Sequence, residues 1–186
     1  MKFIQGWIAL GLVLFSGTVA EAGVFEIGAG YSYRHSTYNS GSYTSMKSWN
    51  GSLGYYFTQD SEVEFLYSDS TNAEYVPNVQ DIQYRDRVYS LNFVYHLFAE
   101  GSAFRPFFRA GVGQLNRDAT GIYYSTTSYS PAGRLDQVTV IGGIGFKAKL
   151  SGHFGLKAEV TSYLTGGSIS TWQDNVAVSV GGSFYF

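Results

Sequence analysis

Between residues 24 and 34 the chain reads VFEIGAGYSYR, with apolar side chains at every second position. Phe25, Ile27, Ala29, Tyr31 and Tyr33 share one parity; Glu26, Gly28, Gly30, Ser32 and Arg34 share the other. Successive side chains of a strand point to opposite faces, so this spacing predicts a β-strand with one apolar and one polar face. The pattern returns seven more times. Residues 46–57 carry it on Trp49, Leu53, Tyr55 and Phe57, and residues 61–69 on Val63, Phe65 and Tyr67. Residues 85–98 show it most clearly, on Tyr89, Leu91, Phe93, Tyr95 and Leu97. It follows on Phe108, Ala110 and Val112 within 104–116, and on Val138, Val140, Ile144, Phe146, Ala148 and Leu150 within 136–150. The last two segments, 153–164 and 174–186, place Phe154, Leu156, Ala158, Val160 and Leu164, then Val176, Val178, Val180, Phe184 and Phe186, on their apolar faces. Pro106 lacks an N–H and is expected at a strand start or a bulge.

The connections alternate in length. Those at about 58–60, 99–103 and 151–152 are short, whereas those at about 37–45, 70–84, 117–135 and 165–173 are long. An even-stranded meander with short turns at one end and long loops at the other is the pattern of a membrane-spanning barrel, whose tilted strands need about 9 to 11 residues each. A soluble eight-stranded barrel holding one ligand has the same strand count. The faces separate the two. In the central part of each strand the apolar face carries no Asp, Glu, Lys or Arg, whereas a soluble barrel needs charge outside. A Lys or Arg facing lipid at the midplane costs about 2–4 kcal/mol. The expected fold is therefore all-β, an eight-stranded antiparallel up-and-down transmembrane β-barrel.

Composition agrees. Aromatic residues make up 18 %, charged residues only 14 %, and there are 23 glycines in 186 residues, an unusual mix for a soluble domain. A net charge of −2 and the lack of a basic run argue against nucleic-acid binding. The start, MKFIQGWIALGLVLFSGTVAEAG, has Lys2, an apolar stretch from Phe3 to Phe15 and an Ala20-Glu21-Ala22 cleavage pattern. It reads as a signal peptide over residues 1–22, followed by one barrel domain over 23–186. With no cysteine in the chain, neither disulfides nor thiol chemistry is expected. No metal or cofactor set is expected either.

These features together resemble the small outer-membrane β-barrels of Gram-negative bacteria, the OmpA transmembrane domain and the OmpX and OmpW types. The resemblance covers the whole mature chain and implies residence in the outer membrane, in contact with its lipid and lipopolysaccharide. It also implies insertion by the barrel assembly machinery, which reads a C-terminal aromatic preceded by apolar residues at every second position. Val178, Val180, Phe184 and Phe186 fit that signal, and Gly182 departs from it.

Parity sends Glu26, Glu62, Glu64, Arg105, Arg109, Lys147, Lys149, Lys157 and Glu159 into the interior. Eight strands leave room only for side chains to fill, and unpaired buried charges are costly, so these residues are expected to pair into a plug. The alternative is a narrow or gated channel for small or apolar solutes. Enzymes that modify lipid A occur on such scaffolds, and His35 beside Ser36 is the one histidine at the outer rim, His96 and His153 lying near the periplasmic end. His35 is followed by Ser36 and Thr37, which does not match the H-x-S spacing of the deacylase, and a non-enzymatic protein is expected. Arg85 and Arg87, at the outer end of the fourth strand, are candidates either for solvated loop charge or for lipopolysaccharide phosphates. Trp49, Tyr33, Tyr67 and Tyr89 are expected to form the outer aromatic girdle, and Phe25, Tyr55, Phe57 and Phe184 the inner one. The loops at 36–45 and 121–133 are rich in Tyr, Ser and Gly, a composition suited to adaptable recognition. The expected role of the monomer is structural or in surface interaction through these loops.

Overall fold

The computed structural model describes residues 24–37, 41–77, 80–97, 102–123, 134–165 and 176–186. The predicted signal peptide lies outside them, as do residues 38–40, 124–133 and 166–175 of the long connections. Eight strands form: β1 (Phe25–Thr37), β2 (Tyr43–Tyr56), β3 (Ser61–Val76), β4 (Gln80–His96), β5 (Phe104–Tyr123), β6 (Arg134–Lys149), β7 (Phe154–Thr165) and β8 (Val176–Tyr185). Each pairs antiparallel with the next, and β8 returns to β1, closing the sheet in the order β1 to β8.

The period-2 pattern sets which face meets which medium. Leu53, Leu91, Val138 and Val178 are each more than half exposed, while their strand neighbours Ser52, Ser90, Thr139 and Ser179 are buried. Apolar residues from every strand form a continuous outer band, far beyond the few hundred Å² that a soluble monomer tolerates. Only hydrocarbon removes that surface from water, and closure leaves no sheet edge to be satisfied there along the paired length.

Rings bound the band at both ends. Near the short turns Phe25 meets Tyr55 at 5.0 Å, Phe104 meets Phe146 at 5.0 Å and Phe184 meets Phe186 at 4.9 Å between centroids. At the opposite level Tyr67 meets Trp49 at 5.2 Å and Tyr89 at 5.0 Å. Amphipathic rings favour the headgroup boundary, which places the two membrane surfaces.

The strands run farther outward than the alternation predicts. The expected loop at 70–84 is largely ladder, with Ser70↔Asp86 through Val76↔Gln80 paired between β3 and β4. β5 likewise continues to Tyr123. Above the membrane the outer face meets water instead of hydrocarbon and need not be apolar, so the alternation fades although the backbone still pairs and the inner face stays buried at Ile82 and Asp86. Arg85 and Arg87 lie within β4, as the alternation places them, and the strand continues outward beyond them to Gln80. Pro106 sits at the third position of β5, near its start.

Candidate functional site

Inward-facing charges stack in layers along the barrel axis. In the layer nearer the periplasmic end, Lys147 Nζ donates to Glu26 Oε2 at 2.6 Å, Glu62 Oε2 at 2.9 Å and the Tyr56 hydroxyl at 2.9 Å. Tyr56 donates onward to Glu26 at 2.7 Å, and Ser183 Oγ reaches the other Glu26 oxygen at 2.7 Å. Gly54 makes room for this arrangement, since a Cβ there would collide with the Glu62 carboxylate.

The next layer is a four-residue ionic group. Arg109 Nη2 lies 2.7 Å from Glu64 Oε1 and 3.0 Å from Glu159 Oε2. Lys157 Nζ lies 2.8 Å from Glu64 and 3.4 Å from Glu159. Two carboxylates and two cations balance, and Ser179 Oγ donates to Glu159 at 3.2 Å. Phe107, 2 % exposed, lies against both layers, its ring centroid 5.9 Å from the Arg109 guanidinium and 5.8 and 5.6 Å from Lys147 and Lys157 Nζ. The negative ring face favours such cations where water is excluded.

At the periplasmic rim, Arg105 donates to the Gln59 carbonyl at 2.6 Å and lies 3.2 Å from Asp60. Lys149 takes no place in the two ionic layers, its Nζ lying 5.4 Å from the Tyr185 ring centroid. His96 packs against Tyr56 and Phe107, with Nδ1 3.3 Å from the Asp60 carbonyl. His153 stacks on Phe184 at 5.9 Å. The side chain of His35 is outside the described residues; its backbone pairs with Ser45.

Above the ionic layers Val88, Leu115 and Ile141 form an apolar cluster with Tyr163 packed against it. Higher still, Arg117 grips Asp86 through two bonds of 2.7 Å each. The alternation does not reveal this pair, because beyond the membrane the outer face is no longer held apolar. Also unanticipated from the sequence are Phe107, Tyr56 and Asp60. Inward parity on β5 and β2 marks the first two, whereas Asp60 lies in a turn, where parity carries no information.

Among the described residues, charge on the outer face of the strands lies at the outer rim. Arg85 holds Asp69 by two bonds, of 3.1 and 2.7 Å, and the Tyr67 hydroxyl donates to the same carboxylate at 3.3 Å. Arg87 is paired with Asp118. Neither arginine is a lone solvated charge. At the opposite end Phe186 N–H donates to the Phe25 carbonyl at 2.9 Å, so the last residue takes part in closure.

A family model for the outer membrane protein β-barrel domain matches residues 7–184. Among solved structures, the N-terminal β-barrel domain of Pseudomonas aeruginosa OprF is 21 % identical, with a TM-score of 0.62, covering 89 % of this chain and 98 % of that one. Ail, the attachment invasion locus protein of Yersinia pestis, is 13 % identical at a TM-score of 0.57, covering 89 % and 99 %. OprG from Pseudomonas aeruginosa is 17 % identical at a TM-score of 0.56, covering 89 % and 96 %. At such identities the likeness concerns the fold. No curated protein matches the sequence.

Proposed function

Because the chain belongs to the outer membrane protein β-barrel family, a barrel of the outer membrane, we propose that it acts at the cell surface rather than as a conduit. In this reading residues 1–22 are a cleaved signal peptide and residues 23–186 the barrel. The observation that carries the reading is the filled interior. Glu64 and Arg109 have side chains with 0 % exposure, and their ion pairs bridge β3, β5 and β7. A pore would leave such groups wet; here each charge meets protein partners, as burial requires. With passage closed, the surfaces left for a specific role are the outer rim and the Tyr- and Ser-rich loops. The protein is then a non-enzymatic monomer with a structural or surface-interaction role. Its outer rim sits among lipopolysaccharide headgroups, with Arg85 and Arg87 facing their phosphates. Val178, Val180, Phe184 and Phe186 serve as its assembly signal.

A test replaces residues 124–133 with a short glycine turn and measures attachment of expressing cells to host-cell or matrix surfaces. Loss of attachment, with the barrel still shifting on unheated gels, supports the surface role. Attachment equal to that of the unaltered protein opposes it. A lipid-modifying activity is addressed separately by lipid A analysis: unchanged acylation between His35→Ala and the parent fits the non-enzymatic reading.

A further inference from the structure

Barrel closure is incomplete in length. The β1–β8 ladder has six pairs, from Glu26↔Tyr185 to Tyr31↔Val180. Yet β1 stays paired to β2 as far as Thr37↔Tyr43, and β8 stays paired to β7 as far as Ser162↔Val176. Both strands therefore continue outward past Tyr31 and Val180 without pairing to each other. The bond from Phe186 N–H to the Phe25 carbonyl sets the alternation at this seam. It directs the backbone N–H and C=O groups of Tyr33 and Val178 toward the gap, where the ladder offers them no partner.

The gap opens at the outer margin of the apolar band, where Tyr33 pairs with Lys47 just outward of the Tyr31↔Trp49 pair. Val178 is 60 % exposed and faces Val160 on β7, while Val140 and Val138 continue the apolar face of β6 outward. Unpaired backbone is tolerated at that depth only where polar groups meet it. Just inside, the register would bring Ser32 opposite Ser179. Ser32 is 3 % exposed and its Oγ has no hydrogen-bond partner; the Thr161 hydroxyl, on β7, is in the same condition. Below them Glu159 is already matched by Arg109 and Lys157. The seam thus holds buried unpartnered hydroxyls beside backbone amides that the ladder leaves unpaired, with no unmatched charge in that ionic group.

We propose that the upper β1–β8 seam is a lateral portal in the outer-leaflet half of the wall, seating an acyl-chain amphiphile with an uncharged, hydroxyl- and ester-bearing head. The head bonds the backbone of Tyr33 and Val178 and the hydroxyl of Ser32, while the chain lies along Tyr31, Val178 and Val180. An ionised head would enter without a counter-charge and is disfavoured. The proposal rests on the membrane-barrel reading alone and is independent of the loops.

The test uses the full folded barrel in nanodiscs with a diazirine-bearing monoacylglycerol. Labelling is expected to concentrate on residues 31–33 and 178–180, about tenfold above the belt around Leu91 and Val112, the equivalent of a well-made hydrogen bond. The chain has no cysteine, so an oxidised Ser32→Cys/Ser179→Cys pair closes the seam specifically. It should remove the excess labelling, and reduction should restore most of it, the backbone of Tyr33 and Val178 being intact and the Ser32 hydroxyl absent. An Asn50→Cys/Ser68→Cys pair on the β2–β3 ladder serves as the control and should leave labelling intact. Even labelling around the belt, or labelling indifferent to the closed seam, would overturn the proposal. Amide exchange on the unsubstituted protein gives an independent reading. The amides of Tyr33 and Val178 should exchange faster than those of Tyr31 and Val180 and slow when monoacylglycerol is added; equal protection of both pairs also overturns it.

Discussion

Arg109 on β5 meets Glu64 on β3 inside the barrel, Nη2 to Oε1 at 2.7 Å, and neither side chain is exposed. A pair so enclosed is weak evidence for net stability, because desolvation offsets most of the attraction, but removing one partner leaves a buried charge unmatched. Arg109→Met should cost about 3–5 kcal/mol. A volume-matched apolar pair, Glu64→Met/Arg109→Met, should cost less than the single change. Equilibrium unfolding in urea with lipid vesicles measures both. Equal losses would mean that the ion pair is incidental to the filling.

Glycines in the barrel wall differ in how tightly they are held. A Cβ at Gly181 would run into the backbone of Ala29 and Gly30, whereas one at Gly142 meets nothing within 4 Å. Gly181→Ala should therefore destabilise the barrel by about 1–3 kcal/mol, the range for overpacking a close contact. Gly142→Ala should be close to neutral. The midpoint of the heat-induced gel shift ranks the two, and similar midpoints would contradict the close approach of β1 and β8.

At the outer rim Arg85 is 59 % exposed and Asp69 6 % exposed by side chain. Arg85→Ala should leave stability nearly unchanged, as for exposed ion pairs. Under the headgroup-contact proposal the same variant should bind lipopolysaccharide more weakly, and Asp69→Asn, which releases the guanidinium, more tightly. Titration with purified lipopolysaccharide separates the cases: if neither variant moves the affinity, Arg85 serves only Asp69.

Much of this was legible in the primary structure, for a physical reason. Within hydrocarbon every strand must separate an apolar face from a polar one, so parity alone assigns Leu91 outward and Glu64, Arg109 and Lys157 inward. Outside hydrocarbon that constraint lapses. The continuation of β3 to Val76 and the Asp86–Arg117 pair were hidden for that reason. Partner choice was equally hidden: parity puts Lys149 inside, yet its neighbour is the Tyr185 ring and not a carboxylate. The early end of the β1–β8 ladder has no counterpart in the pattern, because Val178 and Tyr33 alternate as paired residues would.

Phe186 is 63 % exposed, edge-on to Phe184 at 4.9 Å, and bonded to Phe25 through its backbone. Deleting it removes one closing hydrogen bond and one ring from the interface, a loss of about 1–3 kcal/mol by ordinary burial and bonding values. As part of an assembly signal it should matter more in cells than in refolding. The expected result is near-normal folding into vesicles in vitro with reduced outer-membrane levels in vivo. Normal levels in cells would contradict the signal role.

The proposed surface role stands or falls with the closed interior, and single-channel recording of the full folded protein in planar bilayers tests that most directly. Layers built on Lys147, Phe107 and the Glu64–Arg109–Glu159–Lys157 group predict a flat baseline, with no large stable steps across the applied voltage. Large, long-lived, ion-selective openings would show that the interior conducts and would contradict a function confined to the outer surface.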